Sequence, residues 1–143
     1  MAEVETRRPP VLSTWMDQAT DGIFVSDARG VYVEVNLRGC QMLGRTRDEV
    51  LGLNLREVVH PEDIQQRAVD LSKIETGQPF LSERRLLRGD GSSFVAEVST
   101  TRLDDGRYLA FVRDVTERRA AEEVVQRAEA SFRALHPLSL IHI

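Results

Sequence analysis

The sequence holds one cysteine, Cys40, and three histidines, His60, His136 and His142. A lone cysteine excludes an intrachain disulfide and indicates the redox compartment only weakly. So small a stock of Cys and His cannot furnish a closed structural zinc site. No apolar run approaches the roughly 20 residues of a membrane span. The opening MAEVETRRPP has acids at its start and lacks the apolar stretch of a signal peptide.

A basic surplus is missing too. The net charge is −4 and the isoelectric point is near 5.4, whereas a general nucleic-acid binder should be basic. No P-loop, GxSxG or CxxCH motif occurs. With 143 residues and 41% hydrophobic content, the chain fits one ordinary domain with an appendage. The expectation is a soluble, cytoplasmic chain that is not itself an enzyme.

Residues 1–12, with Arg7, Arg8 and the Pro9-Pro10 pair, read as a leader or linker. STWMDQA forms a short candidate helix with Ser13 or Thr14 as cap. DGIFVSD and VYVEVN read as strands around ARG, with Gly30 where positive φ is easiest. Asn36 is placed to cap LRGCQML, which Gly44 closes, and Thr46 and Glu49 have capping-box spacing. HPEDIQQRAVDLSKIETG predicts a helix with Pro61 at its first position and an Ile64, Ala68, Leu71, Ile74 stripe, ended by Gly77. FLSERRLLR and SFVAEVSTTR flank the hairpin signal GDGS, and DDG precedes RYLAFVRD. Two strands, short helices and three strands make an α+β domain: a five-stranded antiparallel sheet with short helices on one face.

RDVTERRAAEE (113–123) then passes from strand to helix without Gly or Pro. Ala121, Val125, Ala128, Phe132 and Leu135 are spaced 4-3-4-3, the stripe of a coiled-coil seam. An amphipathic helix folded back on its own domain accounts for the same spacing.

ATDGIFVSDARGVYVEVN, GRTRDEVLGLNLREVVHPED, ERRLLRGDGSSFVAEVS and GRYLAFVRDVTERRAAEE lie within residues 15–123. In that order they resemble a PAS domain of the sensory-box type, a sensor module of bacterial signalling proteins such as sensor histidine kinases. The resemblance implies a PAS domain over 13–115 and a signalling helix over 116–135. It places the family's D-x-T element at Asp114 and Thr116, a joint that would relay signals into the helix. Both side chains suit the cap of a helix start, and Glu117 adds favourable first-turn charge. His60, in HPED, reads as a capping or surface residue and not as a general base.

The family's cofactor classes leave marks that can be checked. In NLREV, Leu55 stands where light-oxygen-voltage photosensors carry their reactive cysteine, and Cys40 lies on an earlier helix. IQQRAVDLSKIE has no histidine for haem. Non-covalent flavin or a small organic ligand stays open. By family analogy the pocket would be lined by Phe24, Val33, Met42, Leu43, Ile64, Leu71, Val95 and Phe111, though strand alternation does not say which face is inside. All eight also suit a plain core.

Two readings of function follow. One is a sensory module that detects a small ligand or partner state and relays it to an output domain. The other is a ligand-free dimerisation and relay module with a filled core. Both expect a homodimer through flanking helices, with Trp15 and Met16 suited to an interface or to covering a sheet face. FRALHP resembles the opening of a further repeat. LSLIHI (138–143) matches the translation of a common sequencing adapter and is expected to be an assembly scar, with the output domain encoded elsewhere.

Overall fold

The computed structural model describes residues 20–135. The leader, the candidate helix with Trp15 and Met16, and the tail from 136 onward lie outside the described residues. Five strands form one antiparallel sheet: β1 (Gly22–Ser26), β2 (Tyr32–Val35), β3 (Phe80–Leu87), β4 (Ser93–Arg102) and β5 (Tyr108–Asp114). Their spatial order is β2-β1-β5-β4-β3, so the last strand inserts between the first and the fourth. The α+β fold expected from the sequence is the one observed.

The turn between β1 and β2 is built by Asp27. Its carboxylate accepts the N–H groups of Arg29 and Val31, and Gly30 takes the positive φ of 92° that closes the turn. Register fixes which residues face inward. Phe24 pairs with Ala110, Val98 with Val112 and Leu86 with Phe94. The alternate residues Phe24, Leu86, Phe94, Ala96 and Val112 join Met42, Leu43 and Val50 of the helices in one buried cluster. β1 is buried on both faces, since Ile23 and Val25 are also fully enclosed.

Helix α1 (Leu37–Leu43) is seated on β1 by Asn36, itself 1% exposed. The Asn36 Oδ1 atom accepts the N–H of Gly39 and the N–H of Ile23, each at 2.9 Å. Its Nδ2 donates to the Asp21 carbonyl. One amide thus caps a helix and satisfies a strand. Gly39 brings the helix close: a Cβ there would lie 2.7 Å from Val35 Cγ2 and 2.9 Å from Phe24 Cζ. Helix α2 (Arg47–Val50) starts with the expected capping box between Thr46 and Glu49, and these hydrogen bonds lower the Glu49 pKa.

The long helix predicted from Pro61 to Ile74 does not form as one piece. Helix α3 covers Pro61–Gln66, and a separate 3-10 turn covers Leu71–Lys73. Pro61 and the His60 cap act as expected, with His60 Nδ1 accepting the Glu62 N–H. Competing side-chain bonds lie at the break. Arg84 donates to the carbonyls of Arg67 and Ala68, and Asp70 accepts the Ser72 N–H. These side-chain bonds compete with the helical ladder.

Gly39→Ala should destabilise the fold by about 1–3 kcal/mol, because overpacking outweighs the helix-propensity gain of about 1 kcal/mol. Urea denaturation measures it; equal or higher stability would contradict the close seating of α1.

Candidate functional site

Two features carry chemistry or mechanics: a cavity on the inner face of the sheet and the joint where β5 becomes a helix.

A partly open cavity of about 110 Å³ lies between the sheet and the segment running from Leu55 to Ile74. Phe24, Val58, Val59, Ile74, Leu86 and Val112 give it apolar walls. The rings of Phe24 and Tyr32 lie 5.2 Å apart at 42°. Hydroxyls of Tyr32, Ser82, Thr100 and Tyr108 interrupt that surface. Tyr108 donates a long 3.5 Å bond to the Leu71 carbonyl. Burial pushes the Tyr32 phenol far above the ordinary tyrosine range, so it stays protonated.

Arg84 lies at the cavity wall but its charge is answered. Its Nη1 lies 3.0 Å from Asp63 Oδ2, and both side chains are largely buried, at 12% and 17% exposure. Asp70, at the rim, is held by the N–H and hydroxyl of Ser72, which lower its pKa.

Of the eight pocket candidates, Phe24 and Leu71 line this cavity. Met42 and Leu43 are buried in the core behind it, and Ile64 packs partly buried against that core. Val33, Val95 and Phe111 must be corrected. Val33 is 41% and Phe111 40% exposed. Phe111 pairs with Ser99 and Val95 with Arg85, on the face opposite Val98 and Val112. Both phases of YLAFV are apolar, so alternation could not choose between them; in VAEV the Val95 phase carries the charged Glu97 and is the outer one. The hydroxyl residues were missed although Ser82 and Thr100 alternate in step with Leu86 and Val98, the one trace they leave in the sequence.

At the second feature, β5 ends in Asp114 and helix α4 (Thr116–Leu135) begins two residues later. Asp114 Oδ1 accepts the Thr116 N–H at 2.9 Å. Thr116 Oγ1 accepts the Val95 N–H at 3.1 Å, and the Val115 N–H donates to the Val95 carbonyl at 3.0 Å. Arg88 sits 3.6 Å from Asp114 and 4.5 Å above the Phe94 ring. The neighbouring Gly89 N–H donates to the carbonyl of Leu43 at the end of α1. The joint is therefore bonded to β4 and, through the β3–β4 hairpin, to α1.

Beyond its first turn α4 stands clear of the domain. Ala121, Val125, Ala128 and Phe132 are all exposed, Val125 and Phe132 by 55% each. The helix does not fold back on its own sheet. The Leu135 side chain lies outside the described residues.

The pattern of the PAS fold matches residues 12–115. The chain belongs to the PAS family. It is 38% identical to a solved domain of a sensory box sensor histidine kinase/response regulator from Geobacter sulfurreducens, covering 67% of this chain and 84% of that one, with a TM-score of 0.60. Identity is 35% to the solved PAS domain of an HTR-like protein from Haloarcula marismortui, over 69% of this chain and 84% of that one, with a TM-score of 0.59. Among curated proteins it is 26% identical to the probable diguanylate cyclase DgcE of Escherichia coli, over 78% of this chain. The chain spans 11–16% of the length of the curated relatives it matches.

In this PAS domain Leu55 lines the cavity wall, so the position matched to the photosensor cysteine presents an alkyl group. Cys40 is buried on α1 and is not part of the wall. Among the described residues no group of three or more His, Cys, Asp or Glu could hold a metal ion, and no helix is long and apolar enough to cross a membrane.

Arg84→Ala should cost about 3–5 kcal/mol, since it strands the largely buried Asp63 carboxylate. Amide exchange should accelerate across residues 67–73, a segment whose Arg67 and Ala68 carbonyls the guanidinium holds. Unchanged stability and protection would contradict that role.

Proposed function

We propose that the chain is a sensory PAS module whose cavity occupancy, or the state of a partner, biases the Asp114–Thr116 joint, and whose exit helix relays that bias to an output domain in a longer parent. The observation carrying this reading is the unequal anchoring of α4. Its first turn is hydrogen-bonded to Val95 of β4, while its apolar seam is exposed further along. A rigid start and an exposed apolar stripe are what a lever between sheet and partner requires. The Arg88–Asp114 pair is half-exposed, so its contribution is at most about 1 kcal/mol. Small changes in the sheet can therefore shift the joint between two states.

The seam residues Ala121, Val125, Ala128, Phe132 and Leu135 are the proposed dimer contact, with the flanking N-terminal segment as a second contact. The domain division is proposed as 13–115 for sensing and 116–135 for signalling. Sensor histidine kinases and a diguanylate cyclase among the similar proteins make either a fitting parent enzyme, with this module in the cytoplasm and not itself catalytic. A ligand-free relay module is the second reading. It is favoured by a cavity of about 110 Å³, below the roughly 300–1,000 Å³ of ordinary ligand sites.

Asp114→Ala should leave the domain folded and loosen the exit helix, seen as faster amide exchange across 116–128; unchanged protection there would count against the relay. The chain should also run as a dimer in sedimentation, and Val125→Glu should render it monomeric. A wild-type monomer, or a variant that still pairs, would remove the seam from the account. Native mass spectrometry beside a denatured control separates the two readings, since extra non-covalent mass favours ligand sensing and a bare dimer favours relay alone.

A further inference from the structure

We infer that the cavity selects a small uncharged molecule, about one six-membered ring in size and carrying a hydroxyl group. The inference rests on the sensory reading and names its ligand class. Three observations converge on it.

Size comes first. The cavity volume is about 110 Å³, of the same order as the roughly 150 Å³ apolar cavity that accepts benzene. A single substituted ring fits; the three fused rings and ribityl phosphate of a flavin nucleotide do not.

Charge comes second. Arg84 and Asp70 are the two charged side chains among the lining residues. Arg84 is matched by Asp63 at 3.0 Å and by two backbone carbonyls. Asp70 is held by Ser72 at the rim. A carboxylate ligand would find the guanidinium already occupied and two carboxylates nearby, with no fresh charge to offset its desolvation.

Hydrogen-bonding capacity comes third. The side chains of Tyr32, Ser82 and Thr100 line the cavity, and their hydroxyls make no hydrogen bond to another described residue. The Tyr32 phenol can donate to a ligand oxygen, while Ser82 or Thr100 can accept the ligand's own O–H. The tilted Phe24–Tyr32 pair supplies an aromatic wall for the ring.

The test is a titration of the full isotope-labelled chain by heteronuclear NMR, using phenol, benzene, benzoate and flavin mononucleotide as probes. Phenol should saturate, shifting the amides of Phe24, Val98 and Val112, with benzoate at least about tenfold weaker and no binding of the flavin in the cavity. Tyr32→Phe and Thr100→Val should each weaken phenol about fivefold, the worth of one neutral hydrogen bond, and leave benzene unchanged. Having two variants keeps the test valid if one fails to fold. The inference is overturned if phenol does not saturate, if benzoate binds as tightly, if the flavin occupies the cavity, or if phenol affinity is unchanged in the folded variants. Saturating phenol with unaltered exchange across 116–128 would overturn the sensing relay and leave the ligand class standing. A failed titration beside a loosened Asp114→Ala helix would do the reverse.

Discussion

The insertion of β5 between β1 and β4 is the constraint on which the rest depends. Its pairing with β1 and β4 sets Tyr108, Ala110 and Val112 on the cavity face. The same strand ends in Asp114, where the exit helix is tied down. A slip by one residue would turn Leu109 and Phe111 inward and move the joint off its partners. Cavity shape and helix anchoring are therefore two consequences of a single register. A ligand pressing on this strand and a helix pulling on its end act on the same hydrogen-bond ladder.

Much of that scaffold was legible in the sequence because its signals are local. Asn36, Thr46 with Glu49, and His60 with Pro61 each begin a helix where expected, since a cap needs only the few residues beside it. The succession of strands along the chain followed from turn chemistry at ARG, GDGS and DDG. The transition from VRD into a helix was visible because the alternating pattern stops at Asp114 and a charged, alanine-rich run begins.

What was not legible depends on contacts distant in sequence. The helix predicted from Pro61 to Ile74 is broken by Arg84, which lies on β3 and captures carbonyls from the middle of that segment. Within residues 61–74 only Asp70, which caps the 3-10 turn, hints at the break, and the apolar spacing suits an uninterrupted helix. Phe111 was assigned to the wrong face because its strand is apolar in both phases, and its pairing with β1, a tertiary fact, resolves the phase; for Val95 the alternating Glu97 was a local signal of the outer face. The hydroxyls of the cavity were hidden for a related reason, as Ser82 and Thr100 look like ordinary strand polar residues until their register with Leu86 and Val98 is known.

The central claim is that the start of the exit helix and the sheet form one mechanical unit. Thr116→Val tests it most directly, because it removes the oxygen that accepts the Val95 N–H while nearly preserving shape. Residue-resolved amide exchange should then show lost protection at Val95, within β4, together with lost protection in the helix. Loss confined to the helix, with Val95 exchanging as in the wild type, would contradict the claim.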